Sequence, residues 1–168
     1  MNDAQPEQLP VEQILDSMAE SLDALLIAEP MLVAIQTGGV WIAEHLHQKL
    51  KINEPLGAID ISFYRDDFSR VDLNPKVHES YLPEPIDDRN IILVDDVLNT
   101  GRTVRAALNE LFSWGRPASV KLAVLLDKGN RELPLGADVV GHTMSLKNNQ
   151  FVKISPSGRL IYSDSNHH

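Results

Sequence analysis

Apolar residues recur along this chain at two different periods, and the way the periods alternate predicts strands interleaved with helices. After Pro10, which suits the first turn of a helix, Val11, Ile14, Leu15, Met18, Leu22, Leu25 and Leu26 keep helical spacing up to Pro30. Met31–Ile35 is short and wholly apolar, as a buried strand is, and Gln36-Thr37-Gly38-Gly39 behind it reads as a turn. Helical spacing resumes over Val40–Leu50 through Trp41, Ala43, Leu46 and Leu50. In Gly57–Tyr64, Ile59, Ile61 and Phe63 alternate with Ala58, Asp60, Ser62 and Tyr64, which predicts a second strand. Ile91–Val94 predicts a third, Asp95–Gly101 a polar turn, and Arg102–Trp114 a helix with Val104, Ala107, Leu108, Leu111 and Phe112 on one side. Gly115 and Pro117 stop that helix. Beyond it lie predicted strands at Ser119–Leu126 and Ala137–Val140 around an Asp127–Leu135 loop, then a closing hairpin of Gln150–Ile154 with Arg159–Tyr162.

Strands alternating with helices predict an α/β fold with a parallel-centred sheet flanked by helices. No internal repeat and no linker divides the chain, and 168 residues suit one domain, 1–168, with 1–9 and 163–168 as flexible ends. Arg65–Arg89 is a long polar connection with little periodicity, and an ordered domain rarely keeps such a loop unused; the alternative is a passive surface insertion.

Composition narrows the function. With no cysteine, disulfides and thiolate metal sites are excluded. Met1–Pro10 is polar and acidic, and no apolar run approaches membrane-spanning length, so a cytoplasmic protein with no membrane partner is expected. The net charge of -9, with no Lys or Arg before Lys49, argues against general attraction to nucleic acid. His167 and His168, adjacent at the chain end, are native or the remnant of a tag, and make poor evidence for a metal site.

Chemistry concentrates in Ile91–Thr103, IILVDDVLNTGRT. Ligands of open parallel sheets sit beyond the carboxyl ends of the strands, which is where this segment passes from strand to helix. Thr100, Gly101 and Thr103 can set hydroxyls and backbone N–H groups around a phosphate, and the helix behind them offers its positive dipole end. Asp95 and Asp96 are too costly to bury unpaired. They suit sugar hydroxyls and the Mg²⁺ that accompanies pyrophosphates, held directly or through water; capping of the next helix is the alternative.

Val94–Thr103, VDDVLNTGRT, resembles the signature with which type I phosphoribosyltransferases bind the sugar pyrophosphate PRPP. More narrowly, LVDDVLNTGRTVRAALNEL, GRPASVKLAVLLDKGNRELPLGAD and AIDISFYRDD resemble the pyrimidine operon attenuator and uracil phosphoribosyltransferase (PyrR) family, a likeness spanning Leu32–Val140. The resemblance implies the type I phosphoribosyltransferase fold, with a long mobile loop and a small hood. It implies transfer of phosphoribosyl from PRPP to uracil, giving UMP and pyrophosphate with Mg²⁺. Asp95 and Asp96 would hold the ribose hydroxyls and the metal, and Asn99, Thr100, Gly101, Arg102 and Thr103 the 5′-phosphate side. Gln36, Thr37, Gly38 and Gly39 correspond to the pyrophosphate loop. Arg65–Leu82 corresponds to the mobile loop, in which Arg65, with Arg70 and Lys76, would bring cations to the reacting centre. Asp127–Pro134, with Asp127, Lys128 and Arg131, would form the hood beside the base. A homo-oligomer, dimer or tetramer, is expected.

Two departures from the family pattern bear on function. Where the pyrophosphate loop usually reads Thr-Arg-Gly, this chain has Thr37-Gly38-Gly39, which removes a cation from the leaving group. The family's regulators bind messenger RNA through a basic surface, for which Lys147, Lys153 and Arg159 make a thin footprint. A nucleotide-sensing, RNA-binding attenuator with weak or lost catalysis is therefore the second reading. A purine phosphoribosyltransferase is the third, and Asn99 disfavours it: purine-using relatives generally carry Asp there, and an amide cannot act as a general base.

Overall fold

The computed structural model describes residues 8–62, 79–147 and 150–164. In chain order its elements are α1 (Val11–Ala24), β1 (Met31–Ile35), α2 (Val40–Lys49), β2 (Gly57–Ile59) and β3 (Asn90–Leu98). They continue with α3 (Arg102–Trp114), β4 (Ser119–Asp127), β5 (Val139–Thr143), β6 (Gln150–Ile154) and β7 (Leu160–Asp164). Among the described residues, β2-β1-β3-β4-β5 form one sheet in that order, every neighbouring pair parallel, and β6 pairs with β7 as an antiparallel hairpin.

Side-chain alternation along the strands decides which helix packs where. Leu32, Ala34, Ile92, Val94 and Ala123 point to the face covered by Leu15, Met18 and Leu22 of α1 and Ile42, Ala43 and Leu46 of α2. Met31, Val33, Ile35, Ile91, Leu93 and Val124 point to the opposite face, under Val104, Ala107 and Leu111 of α3. Because both faces are covered, β1 is buried along its whole length, which is why it reads as a continuous apolar run rather than an alternating one. Val152 and Ile154 of β6 and Leu160 of β7 join the α1/α2 side, so the hairpin is part of the core rather than an appendage.

Several boundaries differ from those expected. The β3 strand does not stop at Val94: it continues through both aspartates to Leu98, paired with β4 as far as Leu98 opposite Asp127. In the second strand regular pairing with β1 ends at Ile59, and Asp60 turns the chain by accepting the Ser62 N–H (3.0 Å). Phe63 and Tyr64 lie outside the described residues. The strand placed at Ala137–Val140 is shifted to Val139–Thr143: at Asp138 the backbone N–H still donates to the Leu122 carbonyl (2.8 Å), but the carboxylate takes the Leu122 N–H (2.9 Å), so the regular ladder begins one residue later. Gln8 and Leu9, grouped above with a free end, are tied to the hairpin: Gln8 bridges to Arg159, and the buried Leu9 donates to the Gly158 carbonyl (2.8 Å). Ser163 and Asp164 are likewise paired, within β7. Among the described residues no helix is long and apolar enough to cross a membrane.

Candidate functional site

The chain leaves β1 through α2 toward β2 and leaves β3 through α3 toward β4, so the two connections diverge on either side of neighbouring strands. A crevice at the carboxyl ends of β1 and β3 is the consequence, and such a switch point is where open α/β sheets bind ligands. A cleft of about 980 Å³ opens there. Its wall holds Gln36, Thr37 and Gly38 after β1, Asp60 and Ser62 after β2, Asp95–Thr103 along β3 and into α3, Lys128 after β4, and Phe151 and Lys153 of the hairpin. A second cavity, of about 490 Å³, lies near the amino ends of the strands, where Leu22, Leu26, Ile27, Leu50 and Ile52 line it together with Asp23, Glu29, Lys51 and Glu54, away from the Asp95–Thr103 segment.

Asp95 and Asp96 stand together on the cleft wall. Asp95 is 4% exposed, and its Oδ1 accepts the Asp96 N–H (2.8 Å); Asp96 Oδ1 accepts the Val97 N–H (2.8 Å) in the same way. Each carboxylate thus accepts from the next backbone amide, which helps to fix its direction on the wall. Across the crevice the Gly38 backbone lies directly against the Asp96 carboxylate: a Cβ at position 38 would overlap all three of its terminal atoms. Gly39 is as confined, between the Val94 and Ile35 carbonyls. The peptide joining Gln36 to Thr37 is cis.

The turn into α3 is built for close approach. Gly101 caps the helix with φ 93°, a left-handed conformation that costs a glycine little, and Thr100 Oγ1 accepts the Arg102 N–H (3.2 Å). First-turn N–H groups have no partner within their own helix, so the start of α3 presents donors and a positive dipole end to the cleft. Two acceptors on the wall, Gln36 Oε1 and Asn99 Oδ1, are buried and meet no donor among the described residues. A ligand bringing hydroxyl or ring N–H donors would satisfy both.

The segment after β4 behaves differently from a ring of free contacts. Asp127 and Arg131 form a bidentate pair (2.9 and 2.7 Å), and this hydrogen bonding, ahead of the opposing effect of burial, pulls the Asp127 carboxyl below its ordinary pKa. Lys128 is 5% exposed, donates to the Gln150 carbonyl (2.7 Å) and lies 5.6 Å from the Phe151 ring centre; burial lowers its pKa. Arg102 is turned from the cleft centre toward Glu132, to which its Nε donates (2.7 Å).

Of the residues singled out in the sequence, the fold gathers Gln36–Gly38, Asp95, Asp96, Asn99–Thr103 and Lys128 around one cleft. Asp127 and Arg131 stand behind the Asn99 loop, and Gly39 lies beneath Gly38 as a backbone wedge. Arg65, Arg70 and Lys76 fall outside the described residues, as does all of the Arg65–Leu82 loop before Glu79. Sequence reasoning missed Asp60, Ser62, Phe151 and Ser163 as lining residues. The Asp60-x-Ser62 spacing after an apolar strand end was a usable signal; Phe151 and Ser163 carried none, since hairpin docking alone brings them in.

A family model described as "Phosphoribosyl transferase domain" matches residues 7–154. Among curated proteins, the chain is 47% identical over 169 residues to a "Bifunctional protein PyrR" of Nitrosococcus oceani, covering 97% of this chain and 96% of that one. It is 54% identical over 146 residues to the protein of that name from Pseudomonas paraeruginosa, covering 84% and 86%. Among solved structures it is similar to a hypoxanthine-guanine-xanthine phosphoribosyltransferase (TM-score 0.67, 21% identity, 94% of this chain and 87% of that one). It is also similar to a hypoxanthine phosphoribosyltransferase from Staphylococcus aureus (TM-score 0.65, 22% identity, 90% and 86%). At those identities the structures speak for the fold, which is that of the type I phosphoribosyltransferases.

Proposed function

This chain belongs to the phosphoribosyltransferase domain family and within it to the PyrR proteins, and from that premise we propose that it transfers phosphoribosyl from PRPP to uracil, releasing UMP and pyrophosphate. The observation that carries the reading is the joining of Asp95 and Asp96 to the Thr100–Thr103 turn on one cleft wall, opposite the Gln36–Gly38 backbone.

In the reaction the bond from ribose C1′ to pyrophosphate breaks, a bond from C1′ to uracil N1 forms, and the N1 proton is lost. Positive charge builds on the ribose ring as pyrophosphate departs, so positioning and electrostatics outweigh covalent catalysis. The α3 N–H groups with Thr100 and Thr103 hold the 5′-phosphate, and Asp95 and Asp96 accept from the ribose hydroxyls and face the developing cation. The Gln36–Gly39 backbone receives the pyrophosphate, and Lys128 and Asn99 border the base. Arg65 would add a cation from its loop. The donor set suits Mg²⁺, because the Asp95 and Asp96 carboxylates, hard oxygen ligands, stand together on the wall of the cleft. Asp95 and Asp96 would hold it directly or through water, and it would supply positive charge to the leaving group.

Pyrophosphate release measured with PRPP and uracil, hypoxanthine, guanine or orotate tests the proposal; release with uracil alone is expected, and release with a purine instead would overturn it. The curated relatives are named bifunctional, and the second role proposed here is nucleotide-dependent binding of pyrimidine-operon leader RNA. A gel shift with that RNA, with and without UMP, reads it directly. Assembly as a dimer or tetramer and a cytoplasmic location belong to the same proposal.

A further inference from the structure

The carbonyls at the end of β3 and in the turn that follows do not face the cleft. Leu98 O accepts the Lys128 N–H (2.9 Å), Asn99 O accepts Arg131 Nη1 (2.9 Å), and Thr100 O accepts both the Glu132 and Leu133 N–H groups (2.9 and 3.1 Å). Three consecutive carbonyl dipoles are thereby drawn toward the segment after β4. That is the orientation an anion site needs, because a carbonyl turned inward would repel phosphate where an N–H attracts it.

Arg131 is the side chain at the centre of this arrangement. Its Nε donates to the Leu135 carbonyl (2.7 Å), Nη1 to Asn99 O and Asp127 Oδ1 (both 2.9 Å), and Nη2 to Asp127 Oδ2 (2.7 Å). Four of the five N–H donors of a guanidinium are thus committed to the protein itself. Asp127 is in turn braced by the Gly129 N–H (2.8 Å), and Leu133 and Leu135 press on Gly101, their Cβ atoms 3.4 and 3.6 Å from where a Cβ of that glycine would stand.

We propose that Arg131 is a positioning residue for the phosphate turn, holding Asn99–Gly101 in its anion-accepting form through the Asn99 carbonyl, rather than a contact to the base. The inference rests on the function proposed above and assigns Arg131 a different part in it from the one the family resemblance implies. A planar fork is required: a lysine could keep one bond to Asp127 but could not also reach Asn99 O and Leu135 O.

The test compares the parent with Arg131→Lys and Arg131→Met. Steady-state kinetics should show KM for PRPP raised at least tenfold in both, with KM for uracil, at saturating PRPP, within about twofold of the parent. Calorimetry with UMP, independent of turnover, should show a matching loss of affinity. A rise in KM for uracil with PRPP unaffected would make Arg131 a base contact and overturn the inference. So would a fall in kcat alone, with both KM values unchanged, which is what partial unfolding produces. If Arg131→Met does not fold, Arg131→Lys decides, since it keeps the charge and volume near Asp127. A parent that neither turns over uracil nor binds PRPP fails the proposed function itself, and is recognised before any variant is made.

Discussion

Residue 38 is where the family pattern and the local geometry disagree. The resemblance suggests that restoring arginine there would add a cation for the leaving pyrophosphate. In the structure any side chain at 38 must first displace the Asp96 carboxylate, which the Val97 N–H holds in place. The expected outcome is therefore reversed: Gly38→Ala and Gly38→Arg both weaken PRPP binding, seen as a raised Kd in calorimetry, because they move a ligand-facing acid. An Arg variant with higher kcat/KM for PRPP would show that Asp96 yields at little cost. Asp96→Asn and Thr100→Ala probe the same wall by deletion. Asn keeps an oxygen for the Val97 amide and Thr100 contributes only a 3.2 Å bond to its own turn, so melting should change little. PRPP affinity should fall about ten- to a hundredfold, the worth of one charge-assisted or ligand hydrogen bond at about 1.5–3 kcal/mol.

At the scale of elements, the segment after β4 is fixed to its surroundings by an ion pair whose pH dependence has a definite sign. Asp127 has a folded-state pKa below the 3.8 of the free side chain, so its contribution is present in full above that value and is lost as pH falls through the lower, folded one. Asp127→Asn should thus be less stable than the parent by an amount that is constant from neutral pH down to about pH 5. The difference should shrink below 3.8, as followed by urea unfolding across pH. Lys128 works in the opposite direction: burial disfavours its charge, so folding is penalised while it is protonated and the penalty is relieved as pH rises through its lowered pKa. The donation to Gln150 O and the Phe151 ring offset part of that cost.

Across the whole molecule, the two faces of the sheet carry separate duties. The α1/α2 face is a packed core that holds β1 and β3 in register and reaches the cleft only at its edge, through Val97, Val152 and Ile154. Leu46→Ala on that face, at a position with no exposed surface, should cost about 2–5 kcal/mol. Thermal melting should fall accordingly, while KM for PRPP in the folded fraction stays at the parent value. A shift in KM would mean that the core face transmits strain to the cleft.

The sequence by itself determined the alternation of strands and helices, the apolar β1, the bounds of α3 and the passage from strand to helix across Asp95–Thr103. Each of those follows from neighbours along the chain: a period, a cap, a glycine where φ must be positive. Tertiary structure alone decided that β3 runs on through its aspartates, because β4 supplies ladder partners as far as Asp127. It also brought Phe151 and Ser163 to the cleft, and committed Arg131 to Asn99 and Asp127. The guanidinium at 131 and the carbonyl at 99 are 32 residues apart. Nothing in local pattern records a hydrogen bond whose two ends meet only after the sheet has formed.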